Sequence, residues 1–177
     1  MPNTRSYDKA TGGMTLLSTT TFNNGTATQT VSSIPGGYTD LRIICRNMRT
    51  SGGQNMFFRF NGDTASNYFA GWVGQYWAGA DAGGDTFNNV RVTSRVSNST
   101  AWNKQGYLVF DISNYASTTQ KIVLWNAINH DGGAGTGTFW YTNGHCIFNT
   151  SSPITSFNLN LLDSTFTSGT VEMWGVK

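Results

Sequence analysis

Phe157-Asn158-Leu159-Asn160-Leu161 alternates apolar and amide side chains without a break. A period of two sends one set of side chains into a core and the other outward, so this stretch reads as a half-buried strand. The same rhythm recurs along the chain. Leu41, Ile43 and Cys45 alternate with Arg42, Ile44 and Arg46, and Met56, Phe58 and Phe60 with Phe57 and Arg59. Leu108, Phe110 and Ile112 alternate with Tyr107, Val109 and Asp111, and Ile122, Leu124 and Asn126 with Lys121, Val123 and Trp125. No window of a dozen residues carries a capped helical stripe.

About eleven strands follow from this pattern, at short and regular spacing. They are expected near 14–22, 27–34, 38–48, 55–61, 68–77, 87–94, 106–112, 120–127, 137–148, 154–162 and 169–176. Turn signals punctuate them, among them Asn24-Gly25, Pro35-Gly36-Gly37, Asn61-Gly62 and Asn143-Gly144. Many short strands with glycine-rich turns imply an all-β antiparallel two-sheet β-sandwich, with a jelly roll as the first expectation. Gly71 and Gly74 interrupt an aromatic run, which predicts a bulged or broken strand there. Residues 78–85 and 131–137 read as glycine-rich loops projecting from the sandwich. Residues 1–13 are polar and irregular and are expected to form an extended N-terminal arm, with 14–177 as the sandwich domain.

Composition agrees with strands. The 177 residues are 38% hydrophobic and 14% aromatic but only 11% charged, against about 25% charged in an ordinary domain. Glu occurs once, at Glu172, so strong helix formers are scarce while Thr, Asn, Ser and Gly are abundant. The aromatic content excludes an intrinsically disordered chain. A net charge of +2, with basic residues scattered and densest at Arg42, Arg46 and Arg49, is too thin for a nucleic-acid footprint. Low charge of either sign suits a protein held in an assembly. No apolar run approaches the roughly 18 residues that span a membrane, so membrane insertion is not expected. Residues 1–11 hold no apolar stretch of a signal peptide, so synthesis in a cytoplasm without export is expected. Cys45 and Cys146 lie in apolar strand-like runs without metal or redox spacing and read as buried free thiols.

Chemistry-bearing motifs are few, and no catalytic, cofactor or metal residue is assigned. Asp131-Gly-Gly-Ala-Gly-Thr-Gly137 lacks the Lys of a phosphate cradle and precedes a strand-like run instead of a helix. His130 and His145 have no metal-ligand spacing, and no nucleophile elbow occurs. Glu172 alternates with Val171 and Met173, which suits a solvated or interface position better than a catalytic one. Asp81 and Asp85 with Asn88 or Asn89 lack the spacing of a tuned calcium loop. Three glycosylation sequons, beginning at Asn24, Asn98 and Asn149, are expected to be chance products of an Asn- and Thr-rich chain, since no export signal is expected. Aromatic residues remain the most informative feature. Trp72, Tyr76, Trp77, Trp102, Trp140 and Tyr141 are the candidates for a protein interface or for stacking on a glycan, beside a bland role covering the sandwich ends.

Several ordered runs resemble a family. Tyr38-Thr-Asp-Leu-Arg-Ile-Ile-Cys-Arg-Asn47, Arg59-Phe-Asn-Gly-Asp-Thr-Ala-Ser-Asn-Tyr68 and Phe110-Asp-Ile-Ser-Asn-Tyr115 are similar to runs in small β-sandwich virion proteins of tailed bacteriophages. Phe166-Thr-Ser-Gly-Thr-Val-Glu-Met-Trp-Gly-Val-Lys177 resembles the family's close, a Ser-Gly-Thr turn before a last strand, with Trp174 where Tyr would be expected. The resemblance implies a non-enzymatic structural protein on a virion surface. A head-decoration protein of cement or knob type is the leading expectation, self-associated as a homotrimer and in contact with the major capsid protein or other virion proteins. A tail-fibre or tail-tip module binding host surface glycan is the alternative. No cofactor and no nucleic acid is implied.

Overall fold

The computed structural model describes residues 13–52, 55–76, 79–93, 106–131 and 138–177. Its strands are β1 (Met14–Thr21), β2 (Thr28–Val31), β3 (Asp40–Thr50), β4 (Met56–Phe60), β5 (Tyr68–Tyr76), β6 (Gly79–Phe87), β7 (Val90–Thr93), β8 (Gly106–Ser113), β9 (Lys121–Asp131), β10 (Thr138–Phe148), β11 (Phe157–Leu161) and β12 (Phe166–Val176). All pairings are antiparallel, in an eight-stranded sheet of order β1-β12-β3-β8-β9-β10-β5-β6 and a four-stranded sheet of order β2-β11-β4-β7. The chain is an all-β, two-sheet sandwich. No helix among the described residues is long and apolar enough to cross a membrane.

The strand orders have a simple internal logic. Setting aside the hairpins β5–β6 and β9–β10 leaves β1-β12-β3-β8 facing β2-β11-β4-β7. Numbered along the chain, those eight strands run first, eighth, third, sixth in one sheet and second, seventh, fourth, fifth in the other. That is the connectivity of a jelly roll, two interlocked Greek keys. Both hairpins add to one edge of the first sheet, beyond β8, and extend it to eight strands.

The core lies between the sheets. Phe58 of β4 meets Phe110 of β8 edge-on at 5.0 Å and Trp125 of β9 at 5.5 Å. Phe60 packs on Phe148 of β10 at 5.5 Å, and Tyr68 stacks on Phe148 at 4.7 Å. The buried Tyr68 hydroxyl accepts from the Phe60 backbone N–H at 3.0 Å and donates back to the Phe60 carbonyl at 3.3 Å, which ties the two sheets together. The opening stretch behaves as its rhythm requires: Phe157, Leu159 and Leu161 are buried, while Asn158 and Asn160 bond Thr30 and Thr28 along the outside of β2. Cys45 and Cys146 are buried free thiols, and burial pushes the Cys146 thiol up to about 12.

Two sequence expectations are corrected. Residues 79–87, read largely as loop, form β6, paired along its whole length with β5. Backbone pairing supplies what propensity lacks, and the glycines serve close approach. A Cβ on Gly83 would stand 2.3 Å from the Trp72 ring, and one on Gly84 2.9 Å from the Ala70 carbonyl. β5 itself is unbroken and pairs in regular register with both neighbours despite Gly71 and Gly74. The bulges fall elsewhere, in the pairings of β1 with β12, β3 with β12, β3 with β8, and β4 with β7. Of the second expected loop, Asp131 still belongs to β9, and residues 132–137 lie outside the described residues, as does the arm through residue 12.

Candidate binding surface

β9 is the clearest place to see what the added hairpins do. Lys121, Val123, Trp125, Ala127 and Asn129 face the core and are buried. The opposite parity is apolar too, with Ile122 55%, Leu124 52% and Ile128 48% exposed. An antiparallel sheet with one wet face ordinarily shows polar residues there; a strand apolar at both parities belongs to a sheet covered on both sides.

Register extends this row by row across the outer face. Ile122 lies beside Ile147 of β10, which lies beside Phe69 of β5. Leu124 neighbours His145, and His145 neighbours Gly71. The imidazole reclines over that glycine, where an added Cβ would be 2.9 Å from its Cε1. The next row runs Val73, Asn143, Asn126, Val109; the next runs Gln75, Tyr141, Ile128, Tyr107. Among the described residues, nine of the twelve large exposed hydrophobics stand on β5, β8, β9 and β10, so the exposed apolar surface is concentrated on the extension and the strand it grows from. A shallow depression of about 310 Å³ lies among Val73, Leu124, Asn143 and His145.

The polar groups in this patch are two asparagines, a glutamine, a histidine and tyrosine hydroxyls. Asn143 Nδ2 donates to the Tyr141 hydroxyl, which lies 3.4 Å from Asn126 Oδ1. Among the described residues, two ion pairs stand on this face toward β3 and β12. Arg42 pairs with Asp111 at 3.4 Å and Arg46 with Glu172 at 3.5 Å. Glu172, the chain's one glutamate, also accepts from Trp174 Nε1 at 3.3 Å. Exposed pairs of this kind contribute roughly 0–1 kcal/mol each to stability.

The aromatic candidates divide between faces. Tyr141 is on the outer face, 42% exposed. Trp72 and Trp140 lie half-buried on the inner side, and the Trp72 ring carries the Arg91 guanidinium 4.7 Å above it. Tyr76 closes β5 opposite Trp140 in backbone register. Trp77 and Trp102 lie outside the described residues. Ile122, Leu124, Ile128, Ile147, Phe69 and Val73 were not among the candidates. Their signal was present in Lys121-Ile-Val-Leu-Trp125, apolar at both parities, but the aromatics drew the reading away from it.

Among the described residues no group of three or more His, Cys, Asp or Glu side chains converges as a metal site. The surface built here is suited to excluding water against another protein. Comparison of the chain with protein-family models, curated proteins and solved structures finds no match.

Proposed function

We propose that this protein is a non-enzymatic structural subunit of a tailed-bacteriophage virion, a head-decoration protein that works by burying the outer face of its extended sheet against other protein. The phage assignment rests on the sequence resemblance. The mode of action rests on one observation, the apolar outer face of β9, β10 and β5. Standard interfaces bury roughly 1,600 Å² in total, and such contacts repeated over a shell would resist internal pressure without chemistry. Major capsid protein, other virion proteins and further copies of this chain are the partners this reading requires. Labelling purified particles with an antibody to the chain, and imaging them at low resolution, tests it. Regular labelling over the head supports the reading; particles that carry none of the chain overturn it.

One observation favours a second reading, a tail module binding host glycan. Asn55, Phe57, Trp72, Asn89 and Arg91 line an open hollow of about 320 Å³, and an aromatic wall with amide and guanidinium groups suits a sugar ring. Saccharide binding lost on Trp72→Ala, with the fold intact, would favour it over decoration; a glycan array without signal would retire it.

A further inference from the structure

β6 is an open edge. It ends the eight-stranded sheet beyond β5, and among the described residues nothing pairs with its other side. Its nine residues hold register with β5 without a bulge and include no Pro and no Lys. An edge of this kind is a template for one more strand. The other edge strands differ in charge. β1 and β2 carry no charged residue, and β7 carries Arg91. β6 alone carries acids, Asp81 and Asp85, four apart and therefore at one parity. Fully overlapped with a second β6, it would set Asp81 against Asp85 twice over, which like charge opposes. The edge therefore selects a basic strand.

The chain contains one. Its basic residues before β1 are Arg5 and Lys9, also four apart. Antiparallel pairing, the pattern throughout this sheet, sets Arg5 opposite Asp85 and Lys9 opposite Asp81 in a single register. Asp8, the acid of the arm, then falls opposite Ala82 at the other parity. The same register puts Tyr7 opposite Gly83. That continues a row in which aromatic and glycine alternate: Trp125 of β9, Gly144 of β10, Trp72 of β5, Gly83 of β6. Each ring in the row lies over the glycine of the next strand. A Cβ on Gly144 would stand 1.9 Å from the Trp125 ring, and one on Gly83 2.3 Å from the Trp72 ring. Tyr7 supplies the aromatic residue that comes next, beside an edge glycine.

Reach decides which copy accepts the arm. With residues 3–11 paired along β6, only Gly12 and Gly13 remain before β1. Two residues span at most about 7 Å. β1 of the same copy stands at the opposite edge of the sheet, about 34 Å away at about 4.8 Å per strand.

We infer that residues 3–11 of one copy add as an antiparallel strand to the open edge of β6 in a second copy, Arg5 against Asp85 and Lys9 against Asp81. Donor and acceptor are different patches, so the contact is heterologous, the kind that closes copies into a ring. Near its dissociation constant such docking shifts the acceptor's own stability little. The inference goes beyond the virion reading and does not need it.

Thr4→Cys chains mixed with Thr86→Cys chains under mild oxidation test it. Different tags tell the mixed pair from self-pairs, and circular dichroism checks each fold. The two positions are directly opposite in the proposed register and within disulfide reach, so a mixed disulfide-linked pair is expected. Ala80→Cys lies about 20 Å further along β6 and should link to Thr4→Cys at least ~10-fold less. Asp81→Lys with Asp85→Lys in the acceptor should cut the Thr86→Cys yield at least ~10-fold, and Arg5→Asp with Lys9→Asp in the donor should restore it. If Thr86→Cys does not fold, Asp8→Cys with Ala82→Cys carries the same test. No cross-link, one equally strong to Ala80→Cys, or one indifferent to the charge reversals overturns the inference. These outcomes are separate from the virion reading. Chains that link in register but are absent from particles sink only the virion role, and chains found on particles that do not link sink only the strand exchange.

Discussion

At the scale of single residues, two positions show how tightly the extension is joined to the jelly roll. Gly144 sits in the inner row between Trp72 and Trp125, and the Trp125 ring lies across it. An added Cβ would stand 1.9 Å from Trp125 Cζ2. That ring is buried against Phe58, so it cannot yield. Gly144→Ala is expected to cost about 3 kcal/mol, which lowers the thermal midpoint by roughly 6–12 °C in a chain of this size; calorimetry checks it. Lys121 is the second position. It is 0% exposed, and its ammonium donates to the carbonyls of Thr150 at 3.0 Å and Ser152 at 2.7 Å. The two bonds clamp the 149–153 loop to the start of β9. Lys121→Met would strand both carbonyls and is expected to cost about 1–3 kcal/mol. Burial lowers the Lys121 pKa below the ordinary lysine value. Between the lowered folded value and the unfolded one the unfolded chain holds more protons, so stability rises with pH across that window and falls away as pH drops through the folded value. The stability gap between wild type and Lys121→Met should therefore widen as pH climbs toward the ordinary lysine range. Urea titrations of both proteins at pH 8 and pH 10 measure this, and a gap that narrows would show that the two carbonyl bonds hold the proton in the folded chain more strongly than burial expels it.

At the scale of elements, β11 gives the sharpest contrast between the two faces of one strand. Leu159 is wholly buried, whereas Asn158 reaches outward to Thr30 at 2.7 Å. Leu159→Ala is expected to lose about 2–5 kcal/mol. Asn158→Thr gives up one exposed bond but gains strand preference and should stay within about 1 kcal/mol of wild type. Denaturant unfolding of both, one residue apart, tests whether the two-residue rhythm assigns the faces correctly. That rhythm made β3, β4, β8 and β11 legible in advance, because each alternates a buried apolar set with a second set that carries polar or charged residues. β6 was not legible. Its glycines and Asp81 and Asp85 carry turn chemistry, and only its pairing with β5 makes it a strand. The binding surface was half legible for a related reason. Alternation identifies a core face by contrast with a polar one, and β9 has no contrast: Ile122 and Leu124 look as buried as Val123 and Trp125. Which parity turned inward depended on β4 placing Phe58 against Trp125, a contact between strands far apart in the chain.

At the scale of the whole molecule, the jelly roll and its extension divide the work. The first and last strands pair with one another, β1 on β12, so closing the fold brings the ends of the described chain together at the sheet edge opposite the hairpins. A polar arm preceding Met14 would start from that edge, while the apolar face lies across β8, β9, β10 and β5. On the decoration reading, one edge reaches a neighbour while the other end of the sheet packs face to face. On the reading of residues 1–13 as an arm outside the sandwich, the core that Phe58, Phe110 and Trp125 define needs none of them. Deleting residues 1–13 should therefore leave the thermal midpoint unchanged within about 2 °C, the shift of one kcal/mol or less. What should fall is occupancy on particles, measured by re-adding wild-type and truncated protein to virions stripped of the chain and quantifying what remains after washing. Equal occupancy would show that the arm has no part in docking. A truncated protein that unfolds would instead show that residues 1–13 support β1, and would move the arm from the binding machinery into the fold.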